Sequence, residues 1–510
     1  MTVVSSNTEI TGDSRTKFGE WMQDRKLYIG PLTAIGWIVL LGSIVVAVFM
    51  VTLEVWQFGL FLVVVAVTWN LLFVVKWGSP LQARTIAERV TDTVMGARRI
   101  SRGDARYATG VFSNLPADSL TALPGALANM EELHGTDGRG TPYTLLHYPN
   151  QKLLVAVFAC APDGNSLQTQ STIDQEVSWY SWWVAQQSKD SSIAGAVVIA
   201  DSALRSSEPL IQRVDADIDP GAPEIARAAA MEAARRLPAR YAESTDWAVI
   251  VYSIDSLATS LEEAQAEVAA KMPYQVDALR DAGGGAVMPA TSDMLAKAAR
   301  VAYDPHRATE YASDELRGVQ NRMTLSQAGP EYFHDDGRRV VLHDGVASMS
   351  ALVMVPPQTE ITEDTLNTLF APSAQLLRKR VAVIYRPVPP ERTPQMVEQM
   401  RKDRRMEASA RADVTALDEN SMSTAKRVAA QVTKGASLTR FGILVTVTFE
   451  ADARSYREAT LKLKSLLDGT GLGWRFSEWD AGATWHVSMP FGILPWMFLT
   501  LPEQISKGLS

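Results

Sequence analysis

Arg440-Phe-Gly-Ile-Leu-Val-Thr-Val-Thr-Phe449 is rich in β-branched and aromatic residues, and a run of this length and composition predicts a strand buried within a sheet. Downstream, Ala453 to Leu467 has helical spacing and Leu472 to Ser477 reads as another strand. Upstream, Gly435 closes two long polar helices predicted over Pro394 to Ser409 and Val414 to Thr433. Before these comes Arg380-Val-Ala-Val-Ile-Tyr385, a buried-strand pattern ended by Pro387. A short helix near Glu363 to Phe370 precedes it. Strands at Arg338 to Leu342 and Val346 to Val355, joined through His343-Asp344-Gly345, lead into that helix. The core of this pattern is strand, helix pair, strand, helix, strand, which is the order of a split βαβ unit.

The chain as a whole reads as α+β. The unit above is a lobe over 311–480, ferredoxin-like, with the helices of 394–433 as a long insertion. A first α/β lobe is expected over 116–310. In it, Tyr143 to His147 and Leu153 to Cys160 form a hairpin around Pro149-Asn150-Gln151, and a helix runs from Leu167 to Ser188. A strand at Ile193 to Ala200, a helix at Pro223 to Leu237 and a strand at Trp247 to Ile254 follow. Helices at Leu261 to Met272 and Thr291 to Ala302 complete the lobe. Residues 481–510 read as a carboxyl-terminal tail.

Ahead of both lobes, Leu32 to Leu53 is a 22-residue run without charge, and Val55 to Val75 is a second run of 21, with only Glu54 between them. At about 1.5 Å per residue, a helix of either length covers a hydrocarbon core of roughly 30 Å. The pattern therefore predicts a two-helix transmembrane hairpin over 32–75. It would have a cytoplasmic tail at 1–31 and a basic juxtamembrane connector at 76–115. Arg15, Lys17, Arg25 and Lys26 precede the hairpin, and Lys76, Arg84, Arg89, Arg98, Arg99, Arg102 and Arg106 follow it. Since cations stay on the cytoplasmic side, both termini and the main body are expected there, in a multi-pass inner-membrane protein. Arg98, Arg99 and Arg102 are the candidate lipid-facing cations. Ser43 and Asn70 should face a partner helix, and Gly36 and Gly42 offer close packing.

The charge of −8 argues against a chain that coats nucleic acid throughout, and the single Cys160 excludes an internal disulfide or a CxxC pair. Cys160 lies in an apolar run and reads as a buried, inert thiol. Nowhere does Gly immediately precede Lys, so a phosphate-binding GxxxxGK[ST] loop is excluded. Gly469-Thr-Gly471-Leu-Gly473 follows a helix and precedes a strand, the wrong order for a dinucleotide fingerprint, and reads as a turn. His334, Asp335, Asp336, His343 and Asp344 come closest to a metal-binding set, but a solvated hairpin turn explains them more simply. No catalytic, cofactor or metal residue is assigned, and no cofactor is expected. Arg401, Lys402, Arg404 and Arg405 form a basic run on a polar helix. They are candidate contacts for a partner or for nucleic acid, with direct nucleic-acid binding left open against a plain solvated face.

Five segments together carry a resemblance: Leu123-Pro-Gly-Ala-Leu127, Pro142-Tyr-Thr-Leu-Leu-His147, Arg300-Val-Ala-Tyr-Asp-Pro305, Arg380-Val-Ala-Val-Ile-Tyr-Arg-Pro387 and Arg440-Phe-Gly-Ile-Leu-Val-Thr446. In their order and spacing they resemble actinobacterial membrane proteins encoded with conjugative, type IV secretion-like systems, which carry a PrgI-like hairpin. The latter half is also similar to the non-catalytic amino-terminal region of conjugation ATPases. The resemblance implies a non-enzymatic inner-membrane structural subunit, one member of an oligomeric complex. Its partners would be the membrane, other secretion-system membrane subunits and a separate cytoplasmic ATPase that docks on it for DNA transfer. The same topology also fits an E-type membrane component of a type VII secretion system. Neighbouring genes separate the two: a relaxase and motor ATPase favour the first, small WXG-type substrates the second.

Overall fold

The computed structural model describes residues 2–5, 28–29, 32–52, 56–77, 84–101, 105–109, 123–164, 168–319, 323–355, 366–409, single positions within 423–432, 437–478 and 481–498. Fourteen strands form one sheet. In chain order they are β1 (Thr2–Ser5), β2 (Arg106–Ala108), β3 (Glu131–Thr136), β4 (Pro142–Tyr148), β5 (Leu153–Ala161), β6 (Ile193–Ser206) and β7 (Arg240–Ser253). Then come β8 (Ala286–Pro289), β9 (Tyr332–Asp335), β10 (Val340–His343), β11 (Val346–Val355), β12 (Arg378–Pro387), β13 (Ser437–Glu450) and β14 (Gly473–Phe476). The order across the sheet is β2-β9-β10-β11-β13-β12-β6-β7-β5-β4-β3, with β8 beside β5, β14 beside β11 and β1 beside β13.

Among the described residues, besides a single turn at Ile254–Leu257, the helices are α1 (Ala34–Thr52), α2 (Trp56–Trp69), α3 (Ile86–Ser101), α4 (Gln170–Lys189), α5 (Glu208–Asp217), α6 (Glu224–Arg235) and α7 (Leu261–Leu279). Beyond them lie α8 (Ser292–Tyr303), α9 (Arg307–Leu316), α10 (Asn367–Phe370), α11 (Thr393–Ser409), α12 (Ala453–Asp468) and α13 (Ala481–Val487). Most of the second helix expected in the insertion, 414–433, lies outside the described residues.

The strand order contains one unit twice. The first copy runs β5, α4, β6, β7, α7, β8, with α5 and α6 between β6 and β7; its strands lie in the order β8-β5-β7-β6. The second runs β11, α10, β12, β13, α12, β14, with α11 between β12 and β13, in the order β14-β11-β13-β12. Both are antiparallel split-βαβ sheets, and each is preceded by the same kind of hairpin strands, β3–β4 and β9–β10. The long strands β7 and β13 each have 14 residues. The two lobes read from the sequence therefore share one sheet, joined where β6 pairs antiparallel with β12 from Ala196–Tyr385 to Ala203–Arg378. A local dyad relating the copies passes close to the Ile199–Ala382 pair.

Side chains alternate across the sheet, so each copy has two faces to cover. On one face, α4 and α7 bury Trp183, Val268 and Met272 against β5 and β7, and α12 buries Leu463 and Leu467 against β11 and β13. The other face is continuous across both copies. It is covered by α8, α13 and the strip that follows α13, which contribute Leu295, Trp485, Phe491 and Leu494. The stretch read from sequence as a tail thus enters the core over 481–494, with Trp496 packed against it. Helix α7 continues through Pro273 to Leu279, past the end expected at Met272, because Met272, Val276 and Leu279 are all buried beneath it. That burial outweighs the missing proline N–H, a defect of about 3 kcal/mol in a helix interior.

The expected transmembrane hairpin is corrected. Among the described residues no helix is long and apolar enough to cross a membrane. The first apolar run opens as a two-residue strand, Leu32–Thr33, paired with Tyr28–Ile29, which leaves 19 residues for α1. The second yields a 14-residue α2 and then a π-turn at Asn70–Val74, where Asn70 Nδ2 donates to Ala66 O at 2.9 Å. At 1.5 Å per residue these helices rise only ~28 and ~21 Å, against a hydrocarbon core of roughly 30 Å. The multi-pass inner-membrane placement, with both termini and the body cytoplasmic, rested on those two spans and falls with them. The helices do pair: Ser43 and Asn70 are buried, and Gly59, not Gly42, makes the close approach, to Ala47. Val45, Phe58 and Phe61 on their outer sides remain two-thirds exposed.

Gly492 tests how tightly the strip after α13 closes the core. Its φ of +70° suits glycine, and a Cβ there would stand 2.6 Å from Val155 Cγ1. We expect Gly492→Ala to lower unfolding free energy by about 2 kcal/mol or more in urea titrations, from left-handed strain plus overpacking. An unchanged midpoint would mean that the strip is not a fixed part of the core.

Candidate functional site

Register places a polar seam inside the shared core. Rows of neighbours on that face run Asp201–Arg380–Thr446–Ser350 and Ala203–Arg378–Thr448–Ser348 across β6, β12, β13 and β11. The equivalent rows of the first copy are Val197–Val249–Val157 and Gly195–Val251–Val155, across β6, β7 and β5. The same sheet positions are thus apolar in one copy and charged or hydroxylated in the other. Glycine 492, Leu494 and Trp496 lie on the apolar rows, while Trp485 of α13 lies on the polar ones. Tyr148 ties the strip down by donating its hydroxyl to Phe491 O at 2.7 Å.

Most of the seam is satisfied internally. Arg378 grips Asp201 with two hydrogen bonds, one from Nε to Oδ1 at 2.7 Å and one from Nη2 to Oδ2, and both side chains are buried. Ser350 bonds Thr446 and Ser348 bonds Thr448, each at 2.8 Å. Ser348 also lies 2.8 Å from His343 Nε2, and His343 Nδ1 lies 2.5 Å from Tyr303 O. That carbonyl can only accept, so Nδ1 carries the proton and Nε2 is the acceptor. His486 repeats the arrangement: Nδ1 donates to Gly482 O at 2.6 Å, and Nε2 faces the Tyr303 hydroxyl at 3.5 Å. Tyr303, Phe333, Trp485 and the two imidazoles pack edge and face around one another.

Burial sets the protonation of these groups. It pushes the His343 imidazole down to about 3 and that of His486 to about 4, and the Arg380 guanidinium adds to both shifts. Both rings are therefore neutral at neutral pH. Burial holds the Tyr303 phenol well above its ordinary range, so it stays protonated. Arg380 is pushed down to about 9 by burial and by Arg378, and remains a cation at neutral pH. On the opposite face, Lys379 donates Nζ to Leu369 O at 2.6 Å and to Ala371 O, closing the carboxyl end of α10, and burial followed by Lys462 takes it down to about 8. Three consecutive cations, Arg378 to Arg380, thus sit inside the sheet at 1–5% exposure.

This seam is missed by motif reasoning, because Arg378 and Lys379 stand outside the strand predicted from Arg380 and resemble a solvated boundary. A signal was available in the run Arg378-Lys-Arg380 itself, set against a strand with no solvent-facing alternation.

The residues singled out from sequence are scattered. His343 is committed to Tyr303 and Ser348, and Asp344 pairs with Arg300 at 2.7 Å while accepting from Tyr332 N. Asp335 accepts from Gly337 N and Gly482 N, and Asp336 from the backbone of Arg338, Arg339 and Val340, as turn-forming carboxylates do. Among the described residues no group of three or more His, Cys, Asp or Glu could hold a metal ion. Gly471, at φ +66°, is a turn between α12 and β14, and the buried Cys160 thiol is pushed up to about 12 by burial and by Asp246. Arg401 on α11 is half-buried and pairs with Glu398 at 3.1 Å, and Lys402 is exposed beside it. Arg404 and Arg405 share α11, but their side chains lie outside the described residues. Arg98 is exposed on α3, the Arg99 side chain is outside the described set, and so is Arg102. No family model matches the chain, and no curated protein matches it either.

Two measurements test the seam. The imidazoles have folded values near 3 and 4 and an unfolded value near 6.5, so between about pH 4 and 6.5 the unfolded chain binds more protons. Their contribution to stability is present above that window and is lost as pH falls through it. Near pH 5 two such groups give a slope of about 2–3 kcal/mol per pH unit, and His486→Gln should remove roughly half of it. An unchanged slope would assign acid sensitivity to other groups. Separately, Asp201→Ala leaves Arg378 buried without its partner, with an expected loss of about 3–5 kcal/mol in urea unfolding; a loss below 1 kcal/mol would mean that the pair is solvated.

Proposed function

We propose that this chain is a non-catalytic structural subunit of a conjugative, type IV secretion-like machine and that it docks a separate ATPase. The observation that carries the reading is the division of its polar groups. The imidazoles, carboxylates and hydroxyls able to do chemistry along the seam are buried and committed to one another, while the unspent surfaces are helical. Those surfaces are the apolar flank of α1 and α2 and helix α11, which packs through Val397 in the connection between the central strands β12 and β13 and carries the basic run Arg401-Lys-Asp-Arg-Arg405. Exposed Val, Leu and Phe in such density favour burial against other protein. A cluster of Arg and Lys on one helix favours an acidic counterpart and speeds its capture. The order of sequence segments that resembles conjugation-associated proteins, together with the lack of any Gly-Lys dipeptide for a phosphate loop, supports a motor supplied by another chain.

The test is co-purification of the full chain with the ATPase encoded beside it. We expect the two to be recovered together. Joint reversal of Arg401, Lys402, Arg404 and Arg405 to Glu should weaken recovery by about tenfold or more, and most strongly at low salt. Consistent recovery of the chain alone with the ATPase present would defeat the proposal. Undiminished capture by the reversed variant would move the docking surface away from α11.

A further inference from the structure

Within the seam one cation stands apart. Arg380 lies directly opposite Asp201 in the β6–β12 register, yet Asp201 is held by Arg378. The Arg380 side chain is 1% exposed, and its Nε, Nη1 and Nη2 all lack a hydrogen-bond acceptor among the described residues. Its guanidinium carbon lies 4.9 Å from the centre of the Trp485 ring, a contact that compensates only part of a buried charge. Three more buried donors of the same face are unmatched among the described residues, Arg378 Nη1, Trp485 Nε1 and, one row away, Trp247 Nε1. Each of these unmatched atoms is a donor, and the nearby Glu243 carboxylate is held by Arg205 at 2.6 Å.

The charges point the same way. Arg378 and Arg380 contribute two positive charges, Asp201 one negative, and the neighbouring His343, His486 and Tyr303 are neutral. Arg300, farther along the same core, has its own acids in Asp304 and Asp344. The seam therefore carries one positive charge in excess, inside a core where an unpaired ion is strongly disfavoured. Nor does the fold demand that charge, since the equivalent position of the first copy is Val197. A guanidinium whose three nitrogens are all unmatched, beside further unmatched donors of Arg378 and Trp485, is the chemistry of anion recognition. The burial of all three side chains selects an anion small enough to need no opening to solvent.

We propose that the seam binds a small monovalent anion, of the chemical class of chloride or bromide, between Arg380 and Arg378 beneath Trp485. The ion neutralises the excess charge and takes up the orphaned donors, so it belongs to the folded state and is released on unfolding. This site is independent of ATPase docking.

The experiment uses the full chain in sodium chloride, sodium bromide or sodium gluconate at equal ionic strength, with thermal unfolding as the readout. We expect chloride and bromide, but not gluconate, to raise the midpoint saturably by a few degrees, as linkage requires of a ligand that binds only the folded state. Arg380→Met should remove the halide response while circular dichroism shows an intact fold. Crystals of the unaltered chain grown in bromide provide a measurement that does not depend on the variant, and an anomalous peak within hydrogen-bond reach of the Arg380 guanidinium is expected. Equal midpoints in halide and gluconate, a halide response that survives in Arg380→Met, or no bromide peak at Arg380 would each overturn the proposal.

Discussion

The antiparallel ladder between β6 and β12 is the constraint on which the rest of the molecule depends. It turns two split-βαβ units into one sheet, and its register sets which side chains of one copy face those of the other. Because the side-chain period of a strand is two, a shift of one residue would send Arg378 and Arg380 to the face of α12 and bring Lys379 and Val381 under Trp485. Among the described residues the Arg378–Asp201 ion pair is the salt bridge of the seam that spans this junction, and it helps hold the register that places it. Buried polar contacts of this kind contribute more to choosing one arrangement over its neighbours than to raw stability.

The two copies solve the same packing problem with different chemistry. In the first, valines and a glycine on β5, β6 and β7 accept the strip of chain that follows α13, and Gly195 and Gly492 leave room for the backbones and large side chains to come close. In the second, Arg, Thr and Ser fill the corresponding rows, and aromatic and imidazole rings from α8, β10 and α13 cover them. An apolar row needs only shape, whereas a polar row needs every donor and acceptor matched. The second copy is accordingly the one in which a single substitution strands a charge.

Much of the strand and helix order was legible in the sequence, because Leu153 to Cys160, Arg380 to Tyr385 and Arg440 to Phe449 are nearly unbroken apolar runs. The lengths of β6 and β7 were not. Asp201, Ser202 and Arg205 in one strand, and Arg240 to Asp246 in the other, look like loop, although they pair through the middle of the sheet. The duplication was hidden for the same reason: Val197 and Arg380, or Val249 and Thr446, share a place and share no chemistry. The charge-free runs at 32–75 gave apolarity without giving helix length, which the strand pairing at Leu32–Thr33 and the π-turn at Asn70 cut short. The seam itself could not be read, because a motif is local and these residues meet only through long-range register.

The hydrogen bond from Tyr148 to Phe491 joins residues 343 positions apart, and the strip around Phe491 closes the core of the first copy after the whole second copy has been made. At about 5–20 residues per second, a ribosome takes roughly 17 to 70 s to travel that distance. During that interval the valine rows of the first copy have only α8 of their final cover and lack the part that Gly492 and Leu494 supply. The nascent chain must therefore wait with an unfinished apolar face, and its assembly in the cell is timed by translation as well as by the stability of the finished sheet.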